Sequence, residues 1–205
     1  MSRRLAVITL ALVAVGLSGC VSLFPKSDPS QLYRFEATVA QRPEGQPQVG
    51  VLKLTSGFVR AAAGDRILTV NSGGEVAYIA QTRWVSPASV LFDEEVSESF
   101  HSAGRARLVS RGEVTKAAFA LKLDVTEFEA VYDQGSKAAP QIVVTIRGVL
   151  TNSQNRSIVG DRLFTAKIRA GDNRVGAIVP AFNQALSQTL TEVVTWVDDT
   201  PAPAE

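Results

Sequence analysis

The sequence predicts an α+β fold in a single domain, in which a mainly antiparallel sheet carries two main helices packed on one face. Apolar and polar residues alternate along several segments, which is the pattern of strands that bury one face. Two further segments repeat their apolar residues at helical spacing. A set of strands with two such helices is typical of a layered structure in which helices cover a sheet.

The first half of the chain is predicted to begin with short strands. Residues 32–39 are apolar at the odd-numbered positions, so Tyr33 and Phe35 are expected to fill the core face of the sheet. Three more short strands are predicted at residues 49–54, 66–70 and 76–79. The sequence Asn-Ser-Gly-Gly at 71–74 is a turn signal that would join the last two into a hairpin.

The second half is richer in strands, and one of them contains a predicted bulge. Apolar residues occupy odd positions over 119–125 and even positions over 128–132. This change of phase near Thr126 predicts a β-bulge. Two further strands, one from residue 142 and one over 158–168, would be joined by a hairpin loop at 152–156.

Two segments are predicted to be helices. Ser86 and Pro87 open the first, because serine can cap a helix and proline suits its first position, and Gly104 ends it. Its apolar stripe consists of Leu91 or Phe92, Val96 and Phe100. The last helix has a longer stripe, formed by Phe182, Leu186, Leu190, Val193 and Val197. Pro180 either starts this helix or kinks it early.

A lone cysteine follows an apolar segment near the N-terminus. Arg3 and Arg4 precede about 13 mostly apolar residues, which is the order of a secretory signal peptide and is shorter than the about 20 residues that span a bilayer. The four residues that end this segment resemble the lipobox of bacterial lipoproteins: Leu17, Ser18, Gly19 and Cys20. The resemblance implies that the chain is cut before Cys20 and that its thiol is acylated, with palmitate among the acyl chains. We therefore expect a lipid anchor at Cys20.

The flanking residues predict the export route and the membrane. Ser2, Arg3 and Arg4 loosely fit a twin-arginine signal, but the short segment before them and the very apolar core favour the general secretory route. In Gram-negative lipoproteins an aspartate directly after the cysteine commonly retains the protein at the inner membrane. Because Val21 occupies that position, we expect the periplasmic face of the outer membrane.

The composition of the chain limits its function class and indicates how it is divided into regions. Without the predicted signal peptide the formal net charge is −1, which argues against a nucleic-acid binder, since such a protein would carry a basic patch or stripe. Once Cys20 is acylated no thiol remains for a disulfide, so the domain must be held by its core. Four regions are predicted: a lipoprotein signal peptide (1–19), a lipidated tether (20–30), one domain (31–197) and a disordered tail (198–205).

The sequence offers few residues in the arrangements that catalysis requires. His101 is the single histidine and stands at the predicted end of the first helix, where a cap or an exposed residue is expected. The chain has neither a G-x-S-x-G sequence nor enough Cys and His residues for a zinc site. The acidic clusters at 93–95 and 198–199 are interpreted as solvated helix and tail charges. We expect no enzyme activity, no metal and no cofactor.

Five segments carry a family resemblance in their order and spacing. They are Leu-Tyr-Arg-Phe at 32–35, Ala-Gln-Thr-Arg-Trp-Val-Ser-Pro at 80–87, Leu-Asp-Val-Thr-Glu-Phe-Glu at 123–129, Leu-Phe-Thr-Ala at 163–166 and the final helix over 181–197. Together with the lipobox they resemble the ABC-type transport auxiliary lipoproteins, the family that includes PqiC. Pro180 departs from the family pattern, which usually continues as helix at that position.

The resemblance implies an accessory role in lipid traffic between the two membranes. The partners would be an MCE-domain protein with its ABC permease and ATPase, and the chain would dock or receive the MCE assembly. It has no P-loop, so ATP use would belong to the partners. A homo-oligomer is expected, since a ring-shaped partner favours a symmetric receiver. Four residues are expected as partner or packing contacts: Tyr33, Arg83, Trp84 and Trp196.

Two other functions stay open at this point. The domain could carry lipid in an internal cavity, in which case phospholipid would co-purify with it. It could also be a periplasmic hydrolase, with His101 as its only obvious base.

Overall fold

The fold is a mixed sheet with its helices on one face, as predicted. The computed structural model describes residues 29–38, 49–109 and 116–202. The strands in these residues are β1 (Gln31–Tyr33), β2 (Gly50–Lys53), β3 (Gly57–Phe58), β4 (Arg66–Asn71), β5 (Val76–Trp84), β6 (Arg107–Val109), β7 (Phe119–Tyr132), β8 (Gln141–Asn152) and β9 (Ile158–Arg169). The helices are α1 (Ala88–Ser102) and α2 (Val175–Asp198).

The long strand β7 is paired along both edges. On one edge β8 runs antiparallel to it, and β9 pairs antiparallel with β8. On the other edge β2, β3 and β4 run parallel to β7 one after another, so the chain from Gly50 to Asn71 follows β7 once with two interruptions. β6 extends the sheet beyond β2, whereas β5 and then β1 extend it beyond β4. The mainly antiparallel sheet is confirmed, and its parallel pairs come from the short strands.

The predicted bulge and hairpins are confirmed. The register of β7 against β8 shifts between Val125 and Glu127, where the apolar phase changes. β8 and β9 form a hairpin around the polar loop at 152–156. β4 and β5 form the other hairpin, in which the side-chain amide oxygen of Asn71 accepts hydrogen bonds from the backbone N–H groups of Gly73 and Glu75. This local bond is the reason an asparagine begins that turn.

The first predicted strand is shorter than its alternation suggests. Strand pairing ends at Tyr33, and residues 34–38 leave the sheet and cross to the helices; we call this segment the strap. The strap N–H groups donate to side chains instead of a neighbouring strand, Glu36 to Asn183 and Thr38 to Ser187 on α2, and Ala37 to Glu95 on α1. Phe35 still faces inward and is buried, because an extended chain alternates its side chains whether or not it is paired.

The start of α1 differs from the expected serine cap. Pro87 is itself the N-cap residue, and no side chain caps the helix. The free N–H groups of Ala88 and Ser89 donate to the backbone carbonyls of Gly64 and Ala63 in the loop before β4. This loop therefore does what a capping side chain would do for the first turn. The predicted stripe is confirmed, with both Leu91 and Phe92 buried.

α2 begins before the proline that seemed to mark its start. The helix starts at Val175 and includes Pro180, so the interpretation of Pro180 as the first residue is wrong. Pro180 is the sixth residue of the helix, beyond the first turn, so its missing N–H removes the usual intrahelical donor to the Gly176 carbonyl. Both residues are exposed, so water can bond that carbonyl in its place. The predicted apolar stripe is confirmed, and all five of its residues are buried: Phe182, Leu186, Leu190, Val193 and Val197.

Phe128 of β7 joins the two helices in one core. Its ring centroid lies 4.9 Å from that of Phe182 on α2 and 5.4 Å from that of Phe58, which in turn contacts Phe92 on α1. Phe35 packs on it from the strap side at 5.3 Å. Since both helices are reached from the same side of β7, they cover the same face of the sheet.

Candidate interaction surfaces

Three of the predicted contact residues lie together where β1 pairs with β5. Leu32 is opposite Arg83, and Tyr33 is opposite Trp84. Arg83 points outward and donates to Asp65 at 2.8 Å. Trp84 is only 2% exposed and packs against Phe35, Phe128 and Phe182. Trp84 is therefore part of the core, while Tyr33 and Arg83 remain at the surface.

A groove of about 450 Å³ opens beside this edge; we call it the N-terminal groove. Its walls are β1 and the start of the strap on one side and the first turns of α2 on the other. The lining includes Leu32, Tyr33, Val85, Val179 and Pro180. Leu32 is 61% exposed and Val85 is 56% exposed. The backbone N–H of Val85 donates to the carbonyl of Tyr33 at 2.7 Å, which holds the two apolar side chains at one edge.

A larger groove of about 1050 Å³ follows the outer face of α1; we call it the α1 groove. One wall is the polar side of the helix, formed by Asp93, Glu94, Ser97, Glu98 and His101. The other wall comes from the loop after β2 and from β6, with Thr55, Ser56, Arg107 and Leu108. The sequence pattern missed the second wall, because its residues reach α1 only through parallel pairing of β2 and β6 with distant strands.

The α1 groove is rich in hydroxyl and carboxylate groups. Lys53 forms an ion pair with Asp93 at 2.5 Å, so this acidic residue is not simply solvated as predicted. Within the described chain, the Ser56 hydroxyl is covered by neighbouring atoms and has no hydrogen-bond partner. Because its own neighbours cover it, this hydroxyl is not open to a partner in the groove, whereas the polar side chains of Glu94, Ser97 and Glu98 on the α1 wall are exposed. The groove is thus suited to a hydrogen-bonding partner segment.

His101 lies in this groove without the neighbours of a catalytic base. It is exposed in the last turn of α1, as predicted. Among the described residues, no carboxylate or hydroxyl is hydrogen-bonded to its ring, although a hydrolytic triad needs a carboxylate that orients the histidine and a nucleophile beside it.

Glu95 faces away from the α1 groove and holds the strap. Burial raises the pKa of its carboxyl group, the N–H of Ala37 lowers it in part, and the nearby charges of Glu98, Glu94 and Glu36 raise it further. The third member of the acidic cluster is therefore a partly buried acceptor, and its interpretation as a solvated charge is wrong.

Trp196 lies far from the other predicted contacts, on the β8–β9 hairpin. Its ring centroid is 5.5 Å from that of Phe164. A Cβ atom added to Gly148 or Gly160 would lie 2.9 or 2.8 Å from this ring, closer than van der Waals contact allows. The two glycines therefore provide the space in which the half-buried indole packs against the sheet.

Asp198 corrects the interpretation of the second acidic cluster. It is the last residue of α2, and its side chain is 9% exposed. Its two carboxylate oxygens accept hydrogen bonds from the backbone N–H groups of Arg105 and Ala106, at 2.8 and 2.7 Å. Asp198 is thus not a solvated tail charge but ties the end of α2 to the connection between α1 and β6.

Several predictions concern residues outside the described part of the chain. Cys20, the lipobox residues Leu17, Ser18 and Gly19, the tether up to residue 28 and residues 203–205 of the tail are among them. In residues 29–38, 49–109 and 116–202, no three side chains of the metal-binding types come together. Of the helices in these residues, none is sufficiently long and apolar to cross a membrane.

The architecture defines a small α+β protein with open grooves at its surface. Comparison with known proteins then identifies its family. The family of the ABC-type transport auxiliary lipoprotein component matches residues 33–194. The chain belongs to this family, as its sequence motifs predicted. Among proteins of curated function, none gives a significant match.

Solved structures support the fold. The chain is similar to protein XCC0632 from Xanthomonas campestris, with 23% identity and a TM-score of 0.74 over 83% of this chain and 96% of that one. It is also similar to the hypothetical protein CT253 from Chlamydia trachomatis, with 14% identity and a TM-score of 0.51 over 74% and 96% of the two chains. At these identities the likeness concerns the fold alone.

Proposed function

We propose that this protein is a lipoprotein anchored by Cys20 to the periplasmic face of the outer membrane, where it docks the MCE assembly of an ABC-type intermembrane lipid transport system. Membership of the auxiliary lipoprotein family supports the transport role. The observation that carries the docking role is the α1 groove, a large open surface beside a core that is filled with side chains.

The filled core favours docking over lipid carriage. A carrier would need an apolar cavity between sheet and helices, and such cavities occupy several hundred Å³. Here the aromatic ring of Phe128 and its neighbours fill the space between β7 and the helices. The ring centroids of Phe35, Phe58 and Phe182 lie 4.9 to 5.4 Å from that of Phe128. The lining of the α1 groove is instead suited to a polar protein segment. Its exposed carboxylates Glu94 and Glu98 favour a basic one.

Site-specific crosslinking in the envelope tests the docking surface. A photo-crosslinking amino acid at Ser97 in the α1 groove is expected to capture the MCE-domain protein after tagged full-length protein is purified from detergent-solubilised envelope. Thr195 on α2 is the matched control, because it is also an exposed helical residue whose hydroxyl bonds the carbonyl four residues earlier. Capture from Thr195 and not from Ser97 would move the interface away from the groove.

Charge reversal gives a second test of the same surface. Glu98→Lys is expected to reduce co-purification of the partner about tenfold or more, since it replaces attraction with repulsion at the groove wall. Glu75→Lys, at the β4–β5 turn, makes the same change of charge outside the groove and should leave co-purification as it is.

The anchor, the assembly and the alternative functions have their own readouts. Cys20→Ser should release the protein from the outer membrane and leave its circular dichroism unchanged.

Sedimentation of the delipidated protein at high concentration, alone and with its partner, should reveal a homo-oligomer, and a strict monomer in both cases would contradict one. Phospholipid that co-purifies in stoichiometric amount would favour the carrier. Hydrolytic activity of the purified protein that His101→Ala abolishes would favour the hydrolase, whereas a transport defect alone would not, since His101 also lines the α1 groove.

A further inference from the structure

We infer that the edge formed by Leu32, Val85 and Pro180 lies against the lipid bilayer that holds the protein. This inference rests on the proposed lipid anchor at Cys20, and it adds the orientation of the folded domain. The partner is a phospholipid surface, and the contact would place these side chains at the boundary between headgroups and acyl chains.

The first argument is the exposure of the apolar side chains. A single exposed Leu or Val is ordinary at a protein surface. Here Leu32 and Val85 are 61% and 56% exposed and stand together at the N-terminal groove, next to the exposed Pro180. Together they make an apolar edge on a groove that Arg34, Glu36 and Asn183 also line, and clustered exposed apolar side chains are a feature of interaction sites.

The second argument is the length of chain between the anchor and this edge. Nine residue steps separate Cys20 from Pro29, and they can span at most about 30 Å. A domain of this size has a radius of gyration of roughly 15 Å, so its full width exceeds that reach. The strand β1 begins two residues after Pro29. The β1 edge is therefore kept near the membrane, where even weak apolar contacts are favoured by the high local concentration of lipid.

The third argument is the charge around the edge. Arg34 pairs with Glu36 at 2.9 Å, and Arg83 pairs with Asp65 at 2.8 Å. Each pair joins one positive and one negative charge, so these residues add no net charge to the rim. The rim therefore neither repels nor strongly attracts anionic headgroups. We therefore expect the contact to depend on apolar insertion and to change little with salt.

A second exposed apolar region provides a matched control. Leu163 in β9 is 62% exposed, nearly the same as Leu32. β9 lies at the opposite edge of the sheet, with β8, β7, β4 and β5 between it and β1. At a strand spacing of about 4.8 Å, the two edges are roughly 24 Å apart. A domain that rests on its β1 edge therefore keeps Leu163 away from the bilayer.

Fluorescence quenching by lipid tests this orientation. Full-length acylated protein would be reconstituted into phosphatidylethanolamine–phosphatidylglycerol vesicles with an environment-sensitive probe on Leu32→Cys, Val85→Cys or Leu163→Cys. Because Cys20 is the only natural cysteine and carries the lipid, the introduced thiol is the single labelling site. Phospholipids with a spin label near the headgroup should quench the probes at positions 32 and 85 at least threefold more than the probe at 163, at both low and high salt.

The other outcomes overturn the inference in distinguishable ways. If the protein stays with the vesicles but the probes at 32 and 85 are not quenched, or the probe at 163 is quenched more, the domain is not oriented as inferred and the anchor stands. If the probe at 32 shifts its emission with protein concentration and without quenching, a second copy covers this edge instead. If the acylated protein leaves the vesicles, the anchor itself fails, and the orientation with it.

Discussion

The two halves of the sheet are built by different connections, although they share the strand β7. On one side, β7, β8 and β9 are long antiparallel neighbours that follow each other in the chain. On the other side, the strands β1 to β6 are short, and many of their pairs are parallel and join residues far apart in sequence. The long-strand half is therefore organised by local contacts, and the short-strand half depends on β7 to hold it. Both candidate grooves lie in the short-strand half.

Phe128 is the residue whose loss should separate the two halves most. It is 2% exposed and contacts aromatic rings of the strap, β3, β5 and α2. Phe128→Ala should lower the free energy of unfolding by about 3–5 kcal/mol, through lost burial and a cavity at this junction. Leu163→Ala, which shortens an exposed side chain, should change it by less than about 0.5 kcal/mol.

The two tryptophans can report whether the halves then unfold separately. Trp84 lies in the short-strand half and Trp196 on the long-strand half. In Trp84→Phe and Trp196→Phe single-tryptophan proteins, we expect urea transitions that coincide with circular dichroism, because one core joins the halves. With Phe128→Ala added, the Trp84 signal should change at lower urea than the Trp196 signal. Coincident transitions in that variant would contradict a short-strand half that depends on Phe128.

A substitution at Gly160 should cause a smaller and more local loss of stability within the long-strand half. Gly160→Ala places a Cβ 2.8 Å from the Trp196 ring and should cost about 1–3 kcal/mol through overpacking. Trp196→Leu should remove most of that penalty, so a double-mutant cycle should give a coupling of about 0.5–3 kcal/mol. Gly176→Ala on α2 is the control, since no atom lies within 4 Å of its added Cβ. It should be neutral or slightly stabilising.

The same contrast explains what could be predicted from the sequence. The stripe of α2, the bulge near Thr126 and the β8–β9 hairpin depend on neighbours within a few residues, so periodicity and turn signals predicted them. The strap was not predicted, because the alternation around Phe35 is the same for a paired strand and an unpaired extended segment. The α1 groove was not predicted either. Only its α1 wall is visible as a polar stripe, and the position of β6 beside β2 follows from parallel pairing that leaves no local signal.

Asp198 tests a connection between the end of α2 and the short-strand half. Asp198→Ala leaves the N–H groups of Arg105 and Ala106 without their acceptor and should cost about 1–3 kcal/mol. Faster hydrogen exchange at these two amides would place the loss at this contact. The neighbouring Asp199 is 69% exposed, and Asp199→Ala should change stability by less than about 0.5 kcal/mol. Equal effects of the two substitutions would contradict the role given to Asp198.

Glu95 gives the smallest expected effect and tests the strap alone. Because burial raises the pKa of this carboxyl group, the folded protein holds the proton at higher pH than the unfolded chain does. The charged form therefore costs stability above the raised pKa, and stability improves as the pH falls through it.

Glu95→Gln keeps an oxygen that can accept from the Ala37 N–H and cannot be charged. We expect it to be slightly more stable than the natural protein at pH 7 and to lose part of the pH dependence between about pH 4 and 7. Urea midpoints over this range would measure the change, with Glu192→Gln on α2 as a carboxylate removed away from the strap. Faster exchange of the Ala37 amide in Glu95→Gln, without a flatter pH profile, would mean that the ionised carboxylate stabilises the strap instead of costing stability.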